Sequence, residues 1–355
     1  MVCPRIALGV LMKKTRSRSQ DEDEPMPEGE EGIECASERF SGEAGWARAK
    51  RILRTVALQR AGPSAKVDVG YVKKMGDGLS REVFAAEVEI ATSSGREVAE
   101  MAVLLPRRGC DPAIDQRTRM EARLLVDLAS MGLPFRVPRS FGVCADGGHL
   151  ALVRSFERGV ELDLRAGRQS RVRPWETVAR IAGAIHRVAP ESIPWLVPRY
   201  ATRLHHAQAA IAELEDLRQP EMAEARAWMN DHLPQATPSK LVHGDLLGQN
   251  ILLGLSEPDA VIDWEYAQFG DPAYDLAIVT RGVRRPFQIE GGLDRLLQAY
   301  ARAGEAEVER KHVRLHELAL AARWYRDALS GQSPHAPAQQ LQFLRSLLRR
   351  ACAES

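Results

Sequence analysis

No apolar run in this sequence approaches the ~18 residues that a membrane-spanning helix needs, so no membrane partner is expected. Ile6 to Met12 is short and mostly apolar and follows Arg5, but no clean small-residue cleavage site comes after it. Cysteine is scarce. The five residues Cys3, Cys35, Cys110, Cys144 and Cys352 form no CxxC pair, and their odd count argues against a disulfide framework. A reducing, cytoplasmic setting is the natural expectation. An excess of either charge is also missing: 49 Lys and Arg face 48 Asp and Glu, a formal net charge of +1. No global field therefore favours nucleic acid or an anionic surface. What remains is an ordinary globular composition, 45% hydrophobic and 27% charged, in 355 residues. That length suffices for a two-lobed enzyme with a tail.

Composition divides the chain. Residues 1–42 read as a disordered acidic leader, because Asp21 to Glu31 is acidic, broken by Pro and Gly, and has almost nothing to bury. A helix over Gly45 to Arg60 and a linker fill 43–66, with Trp46, Ile52, Leu53 and Val56 at helical spacing. From 67 to 157 the pattern is strand-rich. Val67 to Val72, Glu82 to Ile90, Glu97 to Leu105 and His149 to Phe156 read as strands, with one helix over Arg117 to Met131. From 158 to 355 helices dominate: Trp175 to Val188, Tyr200 to Leu217, Glu221 to Leu233, Leu293 to Ala303, Val313 to Leu329 and Ala338 to Cys352. Strands first with one helix inserted, then mostly helix, predicts an α+β chain of two lobes.

One segment carries chemistry. Leu241-Val-His-Gly-Asp-Leu-Leu-Gly-Gln-Asn-Ile251 precedes Val261-Ile-Asp-Trp-Glu265. Asn250 lies five positions after Asp245, and Asp263 thirteen further on. Ile251 to Leu253 and Ala260 to Ile262 flank Ser256-Glu-Pro-Asp259, a turn sequence, which predicts a hairpin. Antiparallel pairing then brings Asn250 and Asp263, at its two open ends, close enough to share a cation. Mg²⁺ takes few protein ligands and leaves its other positions to phosphate oxygens and water. Asp245, on the loop before Asn250, can orient an incoming hydroxyl and take its proton. These are the groups that phosphoryl transfer from ATP requires.

His243-Gly-Asp245 with Asn250, Ile262-Asp-Trp-Glu265 and Gly270-Asp-Pro-Ala-Tyr-Asp-Leu-Ala277 together resemble the aminoglycoside phosphotransferase and choline kinase-like family. The resemblance runs in order over about residues 68 to 330. It implies a bilobal protein-kinase-like fold, with a small β-rich N-lobe carrying one helix and a larger, mainly helical C-lobe. It also implies ATP and Mg²⁺ as cofactors. By position, Asp245 becomes the catalytic base and Asn250 and Asp263 the Mg²⁺ ligands. His243 braces the catalytic loop, Asp275 anchors the segment behind the metal site, and Glu265 supports the site structurally.

On the nucleotide side, Met75-Gly-Asp-Gly-Leu-Ser80 resembles the family's phosphate loop, with Gly76, Gly78 and Ser80 facing phosphates. Glu121 matches the family's helix glutamate, which pairs with a strand lysine that holds the ATP phosphates. Ser155 and Phe156 fall where the linker contacts adenine. One departure stands out: Met101-Ala-Val-Leu-Leu105 contains no lysine, Leu105 takes the expected slot, and Arg107 and Arg108 follow Pro106. Arg107 is the candidate replacement, since arginine is always charged and forks well onto phosphate. The alternative is a degenerate member, a pseudokinase or nucleotide-binding module.

The expected partner is a small hydroxylated acceptor, an antibiotic of aminoglycoside or macrolide type or a metabolite. Asp271, Glu290 and Asp294 would suit a cationic one. Arg281, Arg284, Arg285, Arg345, Arg349 and Arg350 would not. Tyr266, Phe269, Trp324 and Tyr325 are aromatics that can wall a pocket or fill a core.

Overall fold

The computed structural model describes residues 45–77, 81–107, 110, 113–164, 172–280, 291–304, 308–333 and 335–354. The acidic leader, Gly78, Ser80, Arg108, Arg281, Arg284, Arg285 and Glu290 lie outside them. The fold is a sheet-rich N-terminal part followed by a helical C-terminal part, and the chain divides into two compact units. One comprises the described residues up to Ala122 with Ser140–Phe156, and the other comprises Arg123–Arg139 with Glu157 onward.

The first unit begins with α1 (Gly45–Ala61) and continues through β1 (Lys66–Val69), β2 (Lys73–Asp77), β3 (Arg81–Thr92), β4 (Gly95–Pro106), α2 (Ala113–Ser130), β5 (Ser140–Asp146) and β6 (His149–Ser155). The last residues of α2 already belong to the second unit. The strands form one antiparallel sheet in the order β1-β3-β4-β6-β5, with β2 also pairing β3. Alternation sorts its side chains. Phe84, Ala86 and Val88 on β3 and Met101, Val103 and Leu105 on β4 pack with Ile52, Leu53 and Val56 of α1. Directly opposed residues of antiparallel strands share a face. Arg81 opposite Pro106, Val83 opposite Leu104 and Ala85 opposite Ala102 therefore line the face away from α1. Arg48 and Arg51 of α1 both donate to Asp146 at the end of β5, which fixes the helix along its sheet.

The second unit contains β7 (Val160–Glu161), α3 (Pro174–His186), α4 (Arg203–Ala212), α5 (Pro220–Asp231), β8 (Lys240–Val242), β9 (Ile251–Leu253), β10 (Ala260–Val261), β11 (Gln268–Gly270), α6 (Pro272–Thr280), α7 (Gly292–Arg302), α8 (Arg310–Leu329) and α9 (Pro337–Ala353). Proline opens α3, α5, α6 and α9, where its missing N–H costs no helix bond. Its main core joins α4, α5, α8 and α9 through Ala207, Met222, Trp228, Leu315, Leu318, Ala322, Leu344 and Leu348. Two small sheets, β10-β9-β7 and β11-β8, carry the loops between them. No helix among the described residues is long and apolar enough to cross a membrane.

The structure adjusts several expected elements. The helix predicted from Tyr200 starts at Arg203, because the Thr202 hydroxyl accepts from His205 N at 3.2 Å and caps it. Strand β5 went unpredicted because its bulge at Gly142, with φ of 133°, breaks the alternation. Helix α6 went unpredicted because it is buried nearly all round and has no polar stripe.

Candidate active site

The predicted hairpin forms. Ala260 pairs with Leu252 and Val261 with Ile251, and Ile262 N donates to Asn250 O at 2.9 Å. This last bond sets the two ends of the hairpin side by side. A short 3₁₀ turn, Gly248–Asn250, leads into β9. Asp263 follows β10 with φ of 71°, the only non-glycine positive φ among the described residues. A left-handed backbone at an Asp is tolerated but not preferred. Residues held in such sparsely populated backbone regions cluster at functional sites. The Asp263 side chain is partly exposed, whereas Asn250 is buried.

Asn250 and Asp245 are joined directly. Asn250 Nδ2 donates to the Asp245 carbonyl at 2.8 Å and to Asp245 Oδ2 at 3.1 Å. With its nitrogen engaged, Asn250 presents its amide oxygen as the remaining ligand atom. That oxygen together with the Asp263 carboxylate is a hard-oxygen pair of the kind Mg²⁺ accepts. Among the described residues no trio of His, Cys, Asp and Glu is arranged to enclose a metal. A cation here would complete its shell with phosphate and water.

The loop bearing Asp245 is held from three sides. Leu246 and Leu247, which follow Asp245, are both buried. His243 is fully buried against the Trp264 ring, with centroids 4.6 Å apart. Its Nε2 donates to Ile262 O at 3.1 Å and its Nδ1 accepts from Asp245 N at 3.2 Å. The imidazole thus ties the Asp245 loop to the hairpin that carries Asp263. Gly244 has φ of 79°, and a Cβ there would fall 2.1 Å from Tyr266 O, so only glycine fits.

Asp275 completes the brace. Its carboxylate is buried and accepts from His243 N at 2.8 Å, Gly244 N at 2.9 Å and His186 Nε2 at 3.1 Å. Burial alone would raise its pKa. The hydrogen bond and charge of His186, with His243, outweigh burial and hold the carboxyl below its ordinary value. Asp275, on the segment that follows Asp263, therefore ties that segment to the loop ahead of Asp245. His186 is itself fixed by Tyr300 at 2.7 Å.

The start of α6, from which Asp275 projects, is set by a further buried cluster. Asp271 Oδ1 accepts from Ala273 N at 3.2 Å and so caps the helix. The same oxygen accepts from Arg203 Nε at 2.7 Å and Oδ2 accepts from His316 Nε2 at 3.1 Å, while the Asp271 N–H donates to His206 Nδ1 at 2.9 Å. Burial, then the neighbouring His316, push the His206 pKa down to about 3, so the ring stays neutral. Asp271 is thus structural and not an acid offered to an acceptor. Asp294 pairs with Arg310. Phe269, Trp324 and Tyr325 are buried in the core, and of the four candidate aromatics only Tyr266 is substantially exposed, at 47%. Glu265 is buried, at 6% exposure.

In the first unit, Glu121 on α2 is fully buried and bonded to a cation, but not to one expected from the sequence. Arg81, the first residue of β3 and 4% exposed, donates from Nη1 to Glu121 Oε2 at 2.5 Å. Its Nη2 donates to Thr118 Oγ1 at 3.1 Å. Leu105 packs with α1, whereas Leu104 shares the face of Arg81. The signal for Arg81 was available in principle. It alternates in phase with Val83 and Ala85, but the face they share follows only from the β3–β4 register. Gly76 lies in β2, opposite Val83. Arg107 follows β4 and is partly buried. Met101 pairs with Ser155 across β4 and β6, the Ser155 carbonyl accepts from Arg154 Nη1, and Phe156 N donates to Glu100 O at 3.0 Å. The Phe156 N–H is therefore already engaged.

Comparison with known proteins gives this arrangement a family. Residues 89–342, well over half of the chain, match the phosphotransferase enzyme family APH. Viomycin phosphotransferase from Streptomyces vinaceus is 43% identical over 63 residues, which are 17% of this chain and 22% of that protein. The chain thus matches about a fifth of that relative's length. The macrolide 2′-phosphotransferase apoenzyme from Brachybacterium faecium superposes with a TM-score of 0.57 at 20% identity, covering 82% of this chain and 95% of the other. Choline kinase from Streptococcus pneumoniae gives a TM-score of 0.53 at 15% identity, covering 84% and 99%. These two likenesses establish a shared protein-kinase-like fold. The family match, with the braced Asp245 loop at its centre, shows that the chain belongs to the phosphotransferase enzyme family.

Proposed function

We propose that the protein transfers the γ-phosphoryl group of ATP to a hydroxyl of a small-molecule acceptor. The observation that carries this reading is the fixed pair of Asp245 and Asn250 beside the strained Asp263. Asp245 orients the acceptor hydroxyl and takes its proton as the oxygen attacks the γ-phosphorus, the bond from γ-phosphorus to the β,γ-bridging oxygen breaks and ADP leaves. In the loose transition state of phosphoryl transfer, positioning counts for more than basicity. The brace from His243 and Asp275 supplies that positioning. Mg²⁺, held by Asn250 and Asp263, would neutralise charge on the phosphates. His243 and Trp264 keep those two ligands in register and carry no proton in the reaction.

Relatives of this chain bear names that specify viomycin, macrolides and choline, all of them small molecules with hydroxyl groups. The acceptor proposed here is of that class: an antibiotic of aminoglycoside or macrolide type or a hydroxylated metabolite. Engagement of Asp271 and Asp294 with arginines favours an acceptor of low positive charge.

A second reading, nucleotide binding without transfer, is favoured by one observation, the absence of a lysine from β4. A coupled ADP-release screen over hydroxylated antibiotics and metabolites separates the two. Acceptor-dependent ADP release by the parent, lost in Asp263→Ala, supports transfer. Mg-ATP binding with no acceptor-dependent turnover supports the second reading.

A further inference from the structure

We infer that Arg81 is the cation that grips the nucleotide phosphates, standing in from β3 for the lysine that β4 lacks. The inference rests on the proposed use of ATP and adds the identity of the phosphate-binding side chain.

The β3–β4 register restricts the choice. A cation that serves the phosphates must project from the face that α2 covers, where Glu121 sits. On that face β4 offers Ala102 and Leu104, and β3 offers Arg81, Val83 and Ala85. Arg96 at the far end of β4 and Arg154 on β6, opposite Ala102, share this face, but Arg96 donates to Glu89 and Arg154 to the Ser155 carbonyl, whereas Arg81 is the one of the three bonded to Glu121. It stands at the first residue of β3, whose next residue, Glu82, pairs with Asp77 of β2. Arg107, by contrast, lies past the end of β4, beyond Pro106.

The guanidinium is aimed and not merely present. Nη1 is held by Glu121 and Nη2 by Thr118, whose hydroxyl in turn donates to Ile114 O at 2.8 Å. Two adjacent turns of α2 thus fix the plane of the fork. Glu121 has its other oxygen, Oε1, buried without a hydrogen-bond partner among the described residues. A buried ion pair with an orphaned oxygen contributes little to stability, because desolvation offsets most of its attraction. An apolar pair of similar volume would pack at no such cost. The arrangement is what a positioning device requires, with Glu121 holding the arginine and the arginine holding phosphate. Arginine suits the task because its planar fork can bond a carboxylate on one edge and a phosphate on another.

The test measures Mg-ATP affinity by calorimetry, without any acceptor, together with steady-state KM and kcat for ATP. Arg81→Met is expected to weaken Mg-ATP binding roughly 10- to 100-fold, the value of one or two charge-assisted hydrogen bonds. Arg81→Lys is expected to recover part of the loss, and Arg107→Met to bind within about 3-fold of the parent. Glu121→Gln, which leaves the cation but loosens its aim, should lower kcat more than it raises KM. The strongest support would come from Leu104→Lys in the Arg81→Met background, which restores a cation to the same face and should recover binding. Circular dichroism melts identify any variant that fails to fold. For such a variant, Arg81→Lys and Glu121→Gln decide the matter. Unchanged binding in Arg81→Met, with loss in Arg107→Met, overturns the assignment and leaves the proposed activity standing. A parent that binds no nucleotide overturns both.

Discussion

Replacing Asp275 by alanine removes a carboxylate that touches neither acceptor nor phosphate in the proposed reaction, yet it should be among the most damaging single changes in the chain. Three buried donors lose their acceptor at once: His243 N, Gly244 N and His186 Nε2. Each stranded donor costs roughly 1–3 kcal/mol. The sum is tempered because the buried charge, itself costly to desolvate, disappears with the side chain. Breaking a buried charged pair typically destabilises by about 3–5 kcal/mol. That is a large share of the roughly 5–15 kcal/mol by which a folded protein is stable. At roughly 2–4 °C per kcal/mol for a unit of this size, Tm should fall by about 6–20 °C. His186→Gln, which removes one donor and keeps the acceptor carboxylate, should cost much less. The pH dependence follows from the lowered carboxyl pKa. The stabilisation is complete above the unfolded value, near pH 4, and is lost as pH falls through the lower folded value. Scanning calorimetry on the parent and both variants, with kcat/KM at a temperature where each is folded, tests this. A Tm for Asp275→Ala within about 2 °C of the parent, with activity unchanged, would refute the idea that this carboxylate holds the catalytic loop.

Gly244→Ala should destroy activity and lower Tm, because the new Cβ would meet Tyr266 O at a backbone angle that alanine avoids; a soluble, fully active variant in a turnover assay would contradict this. Asp263→Asn keeps a residue that tolerates the left-handed backbone, so its Tm should stay within about 1 kcal/mol-equivalent of the parent while turnover falls by roughly 100-fold or more; equal activity would remove Asp263 from the proposed metal site. Buried His206 binds its proton only near pH 3 in the fold but near 6.5 when unfolded, so the unfolded state holds more protons between those values and stability declines as pH drops below about 6.5. His206→Asn retains an acceptor for Asp271 N and should flatten the slope of Tm against pH from 6.5 to 4; an unchanged slope would show that another group is responsible.

The juxtaposition of the candidate residues in the second unit was legible because it is local. Asp245, Asn250 and Asp263 lie within one loop and one hairpin, and the turn at Ser256 to Asp259 announces the pairing that joins them. The division into strands followed by helices was equally readable from periodicity, as was the long amphipathic α1. What stayed hidden depends on contacts distant in sequence. That Asp271 is a helix cap pinned by Arg203 and His316 follows only once α4 and α8 are seen to converge on it. The role of Asp275 in holding His243 and Gly244 is of the same kind. Arg81 was missed for a different reason. The register that puts β3 and β4 side chains on one face cannot be read from either strand alone. Aromatic residues near the motifs were ambiguous by nature, and burial sends Phe269, Trp324 and Tyr325 to the core.

The central claim, phosphoryl transfer to a small hydroxylated molecule directed by Asp245, is tested most directly by mass spectrometry of acceptors incubated with Mg-ATP and either the parent or Asp245→Asn. Asparagine can still accept the bond from Asn250 but cannot take the hydroxyl proton. The account predicts that at least one acceptor gains a single phosphoryl group with the parent, at a rate roughly 10²- to 10⁴-fold lower with the folded variant. Phosphorylated product formed at equal rates by both proteins would contradict it.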